Sequence, residues 1–227
     1  MIRECLNGLN ELWKLGFVHS DIKPDNITVE RQTKFHIIDY GNVSKPQKKN
    51  PAIVGAVVYR SPEQVLGIEH TYKSDIWSLG VTAAMLYLGY GIYDGLLFDA
   101  DEEEQLFHQF INRFGPIDKT FFEMIPEATT KQYFTKGDFK KMIPMDVFYR
   151  KNYENGQQKA NISYLKMSFF ELFHNWRTIF YENDPERCKE EIKQSELLYD
   201  LLVKMMKINP NERIGYNEIL NHEFMKI

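Results

Sequence analysis

The stretch Ser74-Asp75-Ile76-Trp77-Ser78-Leu79-Gly80-Val81-Thr82-Ala83-Ala84-Met85-Leu86 is apolar on nearly every side when wound as a helix. A helix without a polar face has to be covered all round, so the rest of the chain must wrap it. Each large side chain in it contributes roughly 1.5–3 kcal/mol on burial. The chain has the means to cover such a helix. Its 227 residues, 43% hydrophobic and 14% aromatic, suffice for one large globular core and exclude disorder by composition.

Two amphipathic stripes are candidates for that cover. Ile2, Cys5, Leu6, Leu9, Leu12 and Trp13 recur at steps of three and four, and Gly16 is placed to end their helix. Leu197, Leu198, Leu201, Leu202, Met205 and Met206 form the second stripe, stopped by Asn209-Pro210, and its methionines read as core. Between the first stripe and the central helix, Phe17-Val18, the run 27–29 and the run 35–38 alternate and are rich in β-branched residues, which predicts short strands.

The chemistry is concentrated in His19-Ser20-Asp21-Ile22-Lys23-Pro24-Asp25-Asn26, followed after a short polar turn by Ile37-Ile38-Asp39-Tyr40-Gly41. Phosphoryl transfer needs this set: a carboxylate to orient the attacking hydroxyl and oxygen ligands to hold magnesium against the leaving phosphates. Asp21 suits the first task. Lys23, two residues on, points to the same side of an extended loop and would neutralise charge on the transferred group. Asn26 and Asp39 are hard oxygen donors, and phosphate and water complete the octahedron around magnesium. A single Asp-Asn pair in a turn would read as local capping; the whole array at fixed offsets favours a site.

At these residues the sequence resembles the protein kinases, whose catalytic loop reads H-R-D-x-x-x-x-N and whose metal motif reads D-F-G. His19, Asp21, Lys23, Asn26, Asp39 and Gly41 match, and Tyr40 stands for the phenylalanine. The resemblance implies Asp21 as catalytic base, Lys23 as a phosphate contact, Asn26 and Asp39 as Mg2+ ligands, ATP as donor and a protein as acceptor. Lys23-Pro24 matches the Ser/Thr-specific pattern. Tyr59-Arg60-Ser61-Pro62-Glu63 resembles the A-P-E motif that closes an activation segment, and the run from Tyr59 to Gly67 looks most like the CMGC group, in which the arginine matching Arg60 is linked to a preference for proline after the target residue. Asp75 would cap its own helix, and the resemblance adds that it holds the catalytic-loop backbone. Arg213 matches the arginine that pairs with the A-P-E glutamate, here Glu63, in a buried bidentate pair whose single-partner loss costs about 3–5 kcal/mol.

The implied fold is mainly α (α+β): the larger, C-terminal lobe of a protein kinase with small β-hairpins at the catalytic and metal motifs. Residues 1–116 would hold the catalytic loop, activation segment and central helices, 117–191 a CMGC-type insert and 192–227 the terminal helices. No Gly-rich phosphate loop, V-A-I-K lysine or partner glutamate is found, and Gly89-Tyr90-Gly91 with Gly95 follow a helix rather than a strand. The N-terminal lobe is therefore expected to be missing, which would leave an apolar face for a protein partner. Two departures touch the site. Ser20 replaces the arginine that grips a phosphorylated activation loop. Ala56 replaces the Ser or Thr whose hydroxyl bonds the catalytic aspartate, which predicts a loosened substrate-side floor.

Other classes fare worse. A net charge of −4, from 32 acids and 28 bases, gives no global attraction to nucleic acid or to an anionic membrane. Lys131, Lys136, Lys140, Lys141, Arg150 and Lys151, interleaved with Tyr133, Phe134 and Phe139, are locally basic and aromatic, a combination that nucleic-acid binding uses, but a partly packed insert is the expected reading. The acid cluster from Asp99 to Glu104 is expected at the positive end of the helix that follows. No apolar run reaches membrane-spanning length, and Met1 leads into Arg3 and Glu4 rather than a signal-peptide core. The two cysteines, Cys5 and Cys188, lack metal-ligand spacing and favour a reducing compartment, cytoplasmic or nuclear. Two alternatives stand beside the protein kinase: a catalytically inactive scaffold on the same lobe, and a small-molecule phosphotransferase of the aminoglycoside or choline kinase type. Ser61-Pro62-Glu63, Asp75-x-Trp77 and Arg213 count against the latter.

Overall fold

The computed structural model describes residues 1–31, 34–46, 55–89, 92, 102–134, 167–174 and 188–227. Helix α1 (Ile2–Lys14) turns Ile2, Cys5, Leu6 and Leu9 into the core. It is followed at once by Gly16 in the left-handed region, φ +78°, where a side chain would be strained. The chain then passes through the 19–26 segment into an antiparallel hairpin of β1 (Ile27–Glu30) and β2 (Lys34–Ile37), with Ile27 opposite Ile37. Phe17-Val18 does not become a strand. Val18 exchanges one pair of backbone bonds with Ser44 (2.8 and 3.1 Å), and the ladder ends there because the chain turns away at Ser20, φ +66°.

Pro62 opens the short helix α2 (Pro62–Val65), whose start is fixed by the Ser61 N–H donating to Gln64 Oε1 at 2.9 Å. The apolar run becomes α3 (Tyr72–Leu88), with Ile76, Trp77, Leu79, Val81 and Ala84 wholly buried. Leu86 is the exception, exposed at one edge. The cap of α3 is Thr71, which accepts from the Lys73 N–H, and not Asp75 as local sequence rules suggest. Asp75 lies a full turn inside the helix and faces the catalytic loop instead.

The cover of α3 comes from α1, from α4 (Glu102–Phe114) and from α7 (Cys188–Met205); α5 (Lys119–Phe122), α6 (Glu127–Tyr133) and α8 (Tyr216–Leu220) are further α-helices. The ring of Trp77 meets Phe110 and Phe114 edge-on at 5.0 and 5.3 Å. The chain just past α7 crosses α3 where Gly80 leaves room: a Cβ there would stand 3.0 Å from Met206 and 3.1 Å from Met205. This is the mainly helical fold with a small hairpin that the sequence implies.

One boundary differs from expectation. Helix α7 begins at Cys188, inside the stretch assigned to the insert, because its first turns are polar and show no apolar stripe. Tyr133 and Phe134 are buried against Phe107, so these rings are packing groups and cannot stack on bases. Lys131 pairs with Glu127 one helical turn away. Lys136, Phe139, Lys140, Lys141, Arg150 and Lys151 lie outside the described residues, as do Asp99 and Asp101; α4 starts within that acid cluster, at Glu102. Among the described residues no helix is long and apolar enough to cross a membrane.

Candidate active site

Asp75 is the point from which the site is built. Its carboxylate is wholly buried in α3 and accepts three hydrogen bonds: from the His19 N–H at 2.9 Å, the Ser20 N–H at 2.9 Å and the indole Nε1–H of Trp13 at 2.8 Å. Burial pushes its pKa up, and those three donors only partly offset the rise. Two amides of the loop are thus fixed to the central helix. Ser20, which carries the second of these amides and precedes Asp21, is held at φ +66°, a strained conformation for a non-glycine residue that persists because its surroundings determine it. Its hydroxyl lies 3.5 Å from Nε2 of the buried His70.

The turn at Ser20 presents Asp21, whose carboxylate gathers four donors. Oδ1 accepts from the Ala56 N–H at 3.0 Å; Oδ2 accepts from Lys23 Nζ at 3.1 Å, Asn26 Nδ2 at 3.1 Å and Asn42 Nδ2 at 3.3 Å. Burial alone would raise its pKa, but the Ala56 amide, Lys23 and Asn26 outweigh burial and hold it below the usual carboxylate range. Asp21 is therefore an ionised acceptor at neutral pH. Although Ala56 has no hydroxyl, its backbone amide donates to the Asp21 carboxylate.

Gly55 makes that contact possible. Its φ is +82°, and a Cβ on it would lie 2.4 Å from the Ser20 carbonyl oxygen. Gly55→Ala is expected to lower stability by about 1–3 kcal/mol in chemical denaturation and to weaken the Ala56–Asp21 contact. The Gly55 carbonyl accepts from both Nε (3.1 Å) and Nη2 (2.9 Å) of Arg60.

Asn26 also donates to the Asp21 carbonyl at 2.8 Å, and with its nitrogen so directed its side-chain oxygen is the atom left to meet a cation. Asp39 is exposed and left-handed, φ +62°, with Oδ1 accepting from the Gly41 N–H at 3.1 Å. It is tied to Asn26 through the backbone, since the Ile38 N–H donates to the Asn26 carbonyl at 2.9 Å. The Tyr40 hydroxyl donates to the Ile37 carbonyl, and its ring stands edge-on to His19 at 5.3 Å.

Behind the loop, Glu63 and Arg213 form a buried two-pronged pair, Nη1 to Oε1 at 2.6 Å and Nη2 to Oε2 at 2.9 Å. Arg213 also donates to the carbonyls of Lys73, Lys207 and Ile208, and the Ser74 hydroxyl donates to Glu63. Of the residues singled out in the sequence, Asp21, Lys23 and Asn26 touch one another and Asp39 is joined to them by the hairpin. His19, Asp75, Glu63 and Arg213 support them, with Tyr40 and Gly41 beside Asp39 and Arg60 on the activation-segment side. Trp13, Asn42 and Gly55 are added by the structure. Trp13 lay hidden in the apolar stripe of α1, and the only advance signal for Gly55 was an isolated glycine ahead of the A-P-E-like motif.

A family model described as "Protein kinase domain" matches residues 1–225. The chain is 25% identical over 236 residues to the stress-activated protein kinase JNK of Drosophila melanogaster, covering 100% of this chain and 52% of that protein. It is 28% identical to homeodomain-interacting protein kinase 1 of Caenorhabditis elegans (98% of this chain, 27% of that protein) and 26% identical to the dual specificity protein kinase lkh1 of Schizosaccharomyces pombe (94% and 29%). These relatives are of the CMGC type, and the chain spans about half the length of the first and under a third of the other two. A crystal structure of a kinase domain superposes with a TM-score of 0.69 at 22% identity, over 99% of this chain and 64% of that one, a likeness of fold. The chain belongs to the protein kinase domain family.

Proposed function

We propose that this chain is the substrate-side half of a serine/threonine protein kinase that moves the γ-phosphoryl group of ATP to protein hydroxyls, with the adenine and most phosphate contacts supplied by a smaller lobe outside residues 1–227. The observation that carries the reading is the carboxylate of Asp21, held ionised by four donors, one of them the side-chain nitrogen of Asn26, whose backbone carbonyl is joined to the Asp39 segment through the Ile38 N–H. A hydroxyl approaching Asp21 is oriented by it and gives up its proton to it. Lys23, 3.1 Å from Asp21, places a positive charge where the transferred group gains negative charge. The donor set, one amide oxygen and one carboxylate, fits magnesium completed by phosphate and water. When bound, the ion neutralises charge on the phosphates.

Arg60 supports a preference for proline after the target residue. Because the Gly55 carbonyl is turned to the guanidinium, it is not offered to a backbone N–H of the acceptor peptide, and a residue without an N–H loses nothing there. A partner face accompanies the site: Leu15, Val29, Ile38 and Tyr40 are large, exposed apolar side chains on the elements that flank the catalytic loop. They are the surface on which the smaller lobe, or a protein standing in for it, would rest. A cytoplasmic or nuclear location agrees with this reading.

Phosphate incorporation into a basic protein, assayed on the full-length product, should be abolished by Asp39→Ala. ATP with magnesium at 100 times its Kd should raise stability by about 2.7 kcal/mol. The absence of both incorporation and a thermal shift would instead favour the inactive scaffold.

A further inference from the structure

Asp75 occupies a position that ought to be unstable. It is a carboxylate with no solvent exposure, and among the described residues no lysine or arginine pairs with it. What it has is donors, and the one that comes from a side chain is Trp13. The indole Nε1–H shares Oδ2 with the His19 N–H, while Oδ1 holds the Ser20 N–H. Trp13 is itself fixed: its ring lies 5.3 Å from Tyr72 at the start of α3 and 6.5 Å, edge-on, from Tyr216 in α8, whose hydroxyl donates to Asn7 back in α1. A ring that served only as filling would not need its single polar atom aimed at a buried carboxylate at 2.8 Å.

We propose that Trp13 is a positioning residue of the catalytic loop: its N–H keeps the Asp75 carboxylate able to accept from both loop amides, and so fixes Ser20 in its left-handed turn and Asp21 in place. This rests on Asp21 being the base. Without the indole N–H, Asp75 faces the burial cost with two donors instead of three and takes up a proton at higher pH. Protonation removes the negative charge that strengthens the bonds from the His19 and Ser20 amides, and the hold on the loop weakens. His19 on the loop and His70 ahead of α3 are the titratable groups facing Asp75; burial holds both below their ordinary range, so neither supplies a compensating charge at neutral pH.

The test replaces Trp13 by benzothienylalanine in the full-length protein, which keeps the bicyclic ring and puts sulfur where the N–H was. Expected are a roughly tenfold lower kcat, equal to about 1.4 kcal/mol, unchanged KM for ATP and peptide, and an acid limb of the pH–rate profile moved to higher pH. Amide exchange at His19 and Ser20 should be faster, with Leu6 and Leu9 in α1 unaffected. Exchange at His19 and Ser20 as slow as in the natural protein would overturn the proposal, with or without a change in kcat. If the natural protein transfers no phosphate, the kinase reading fails separately, and exchange alone decides whether Trp13 holds the loop.

Discussion

Asp21→Ala in the full-length protein should lower phosphoryl transfer by about 10²–10⁴-fold with little change in ATP affinity, measured as initial rates alongside a nucleotide titration. The asparagine variant is the more informative. A carboxylate accepts on both oxygens, whereas an amide accepts on one. In Asp21→Asn, therefore, either the Ala56 N–H or the group of Lys23, Asn26 and Asn42 is left facing a donor. Asp21→Asn should consequently lose nearly as much activity as alanine despite its matching shape, and a rate within fivefold of the natural protein would remove Asp21 from the role of base.

The second large effect is on stability. Glu63→Ala should destabilise by about 3–5 kcal/mol, because it leaves the guanidinium of Arg213 buried without its counterion. Arg213→Ala should lie at the upper end or beyond, since it also orphans the carbonyls of Lys73, Lys207 and Ile208. With roughly 2–4 °C of melting temperature per kcal/mol for a chain of this size, the shifts are readily read by calorimetry. An apolar pair at both positions should recover much of the loss, and equal melting temperatures for Arg213→Ala and the natural protein would deny the pair its structural role. The pair also sets an acid response. Burial by itself would raise the pKa of Glu63, but the charge and hydrogen bonds of Arg213 outweigh burial and hold it below its ordinary 4.5. Its contribution is thus complete above about pH 4.5 and is lost as the pH falls through the lowered value. Glu63→Gln should flatten that acid limb.

The parts of this fold legible in the sequence are those in which a local rule and the tertiary structure agree. Helix α3 is announced by its lack of a polar face and α1 by its stripe, and Asp21, Lys23 and Asn26 stand at offsets that only a shared purpose explains. Where long-range contact overrides a local rule, sequence reasoning goes astray. Asp75 looks like a helix cap but is a bracket for a loop 55 residues earlier. Ala56 looks like a lost hydroxyl, yet its backbone N–H donates to Asp21, and a reading that attends to side chains cannot see a main-chain donor. Trp13 has the spacing of a core residue, and nothing in periodicity reports where its nitrogen points. The polar start of α7 carries helical propensity without a stripe, so periodicity alone places the start of this helix too late.

Glu63 and Arg213 are 150 positions apart. Closing so long a segment of unfolded chain is entropically slow, and partners this distant meet only after local helices have formed. The pair should therefore be absent from the rate-limiting ensemble in refolding. Breaking it should leave the refolding limb of a chevron nearly unmoved and steepen the population of opened molecules through faster unfolding. It would act as a latch that sets how long the assembled domain lasts, not how quickly it is made.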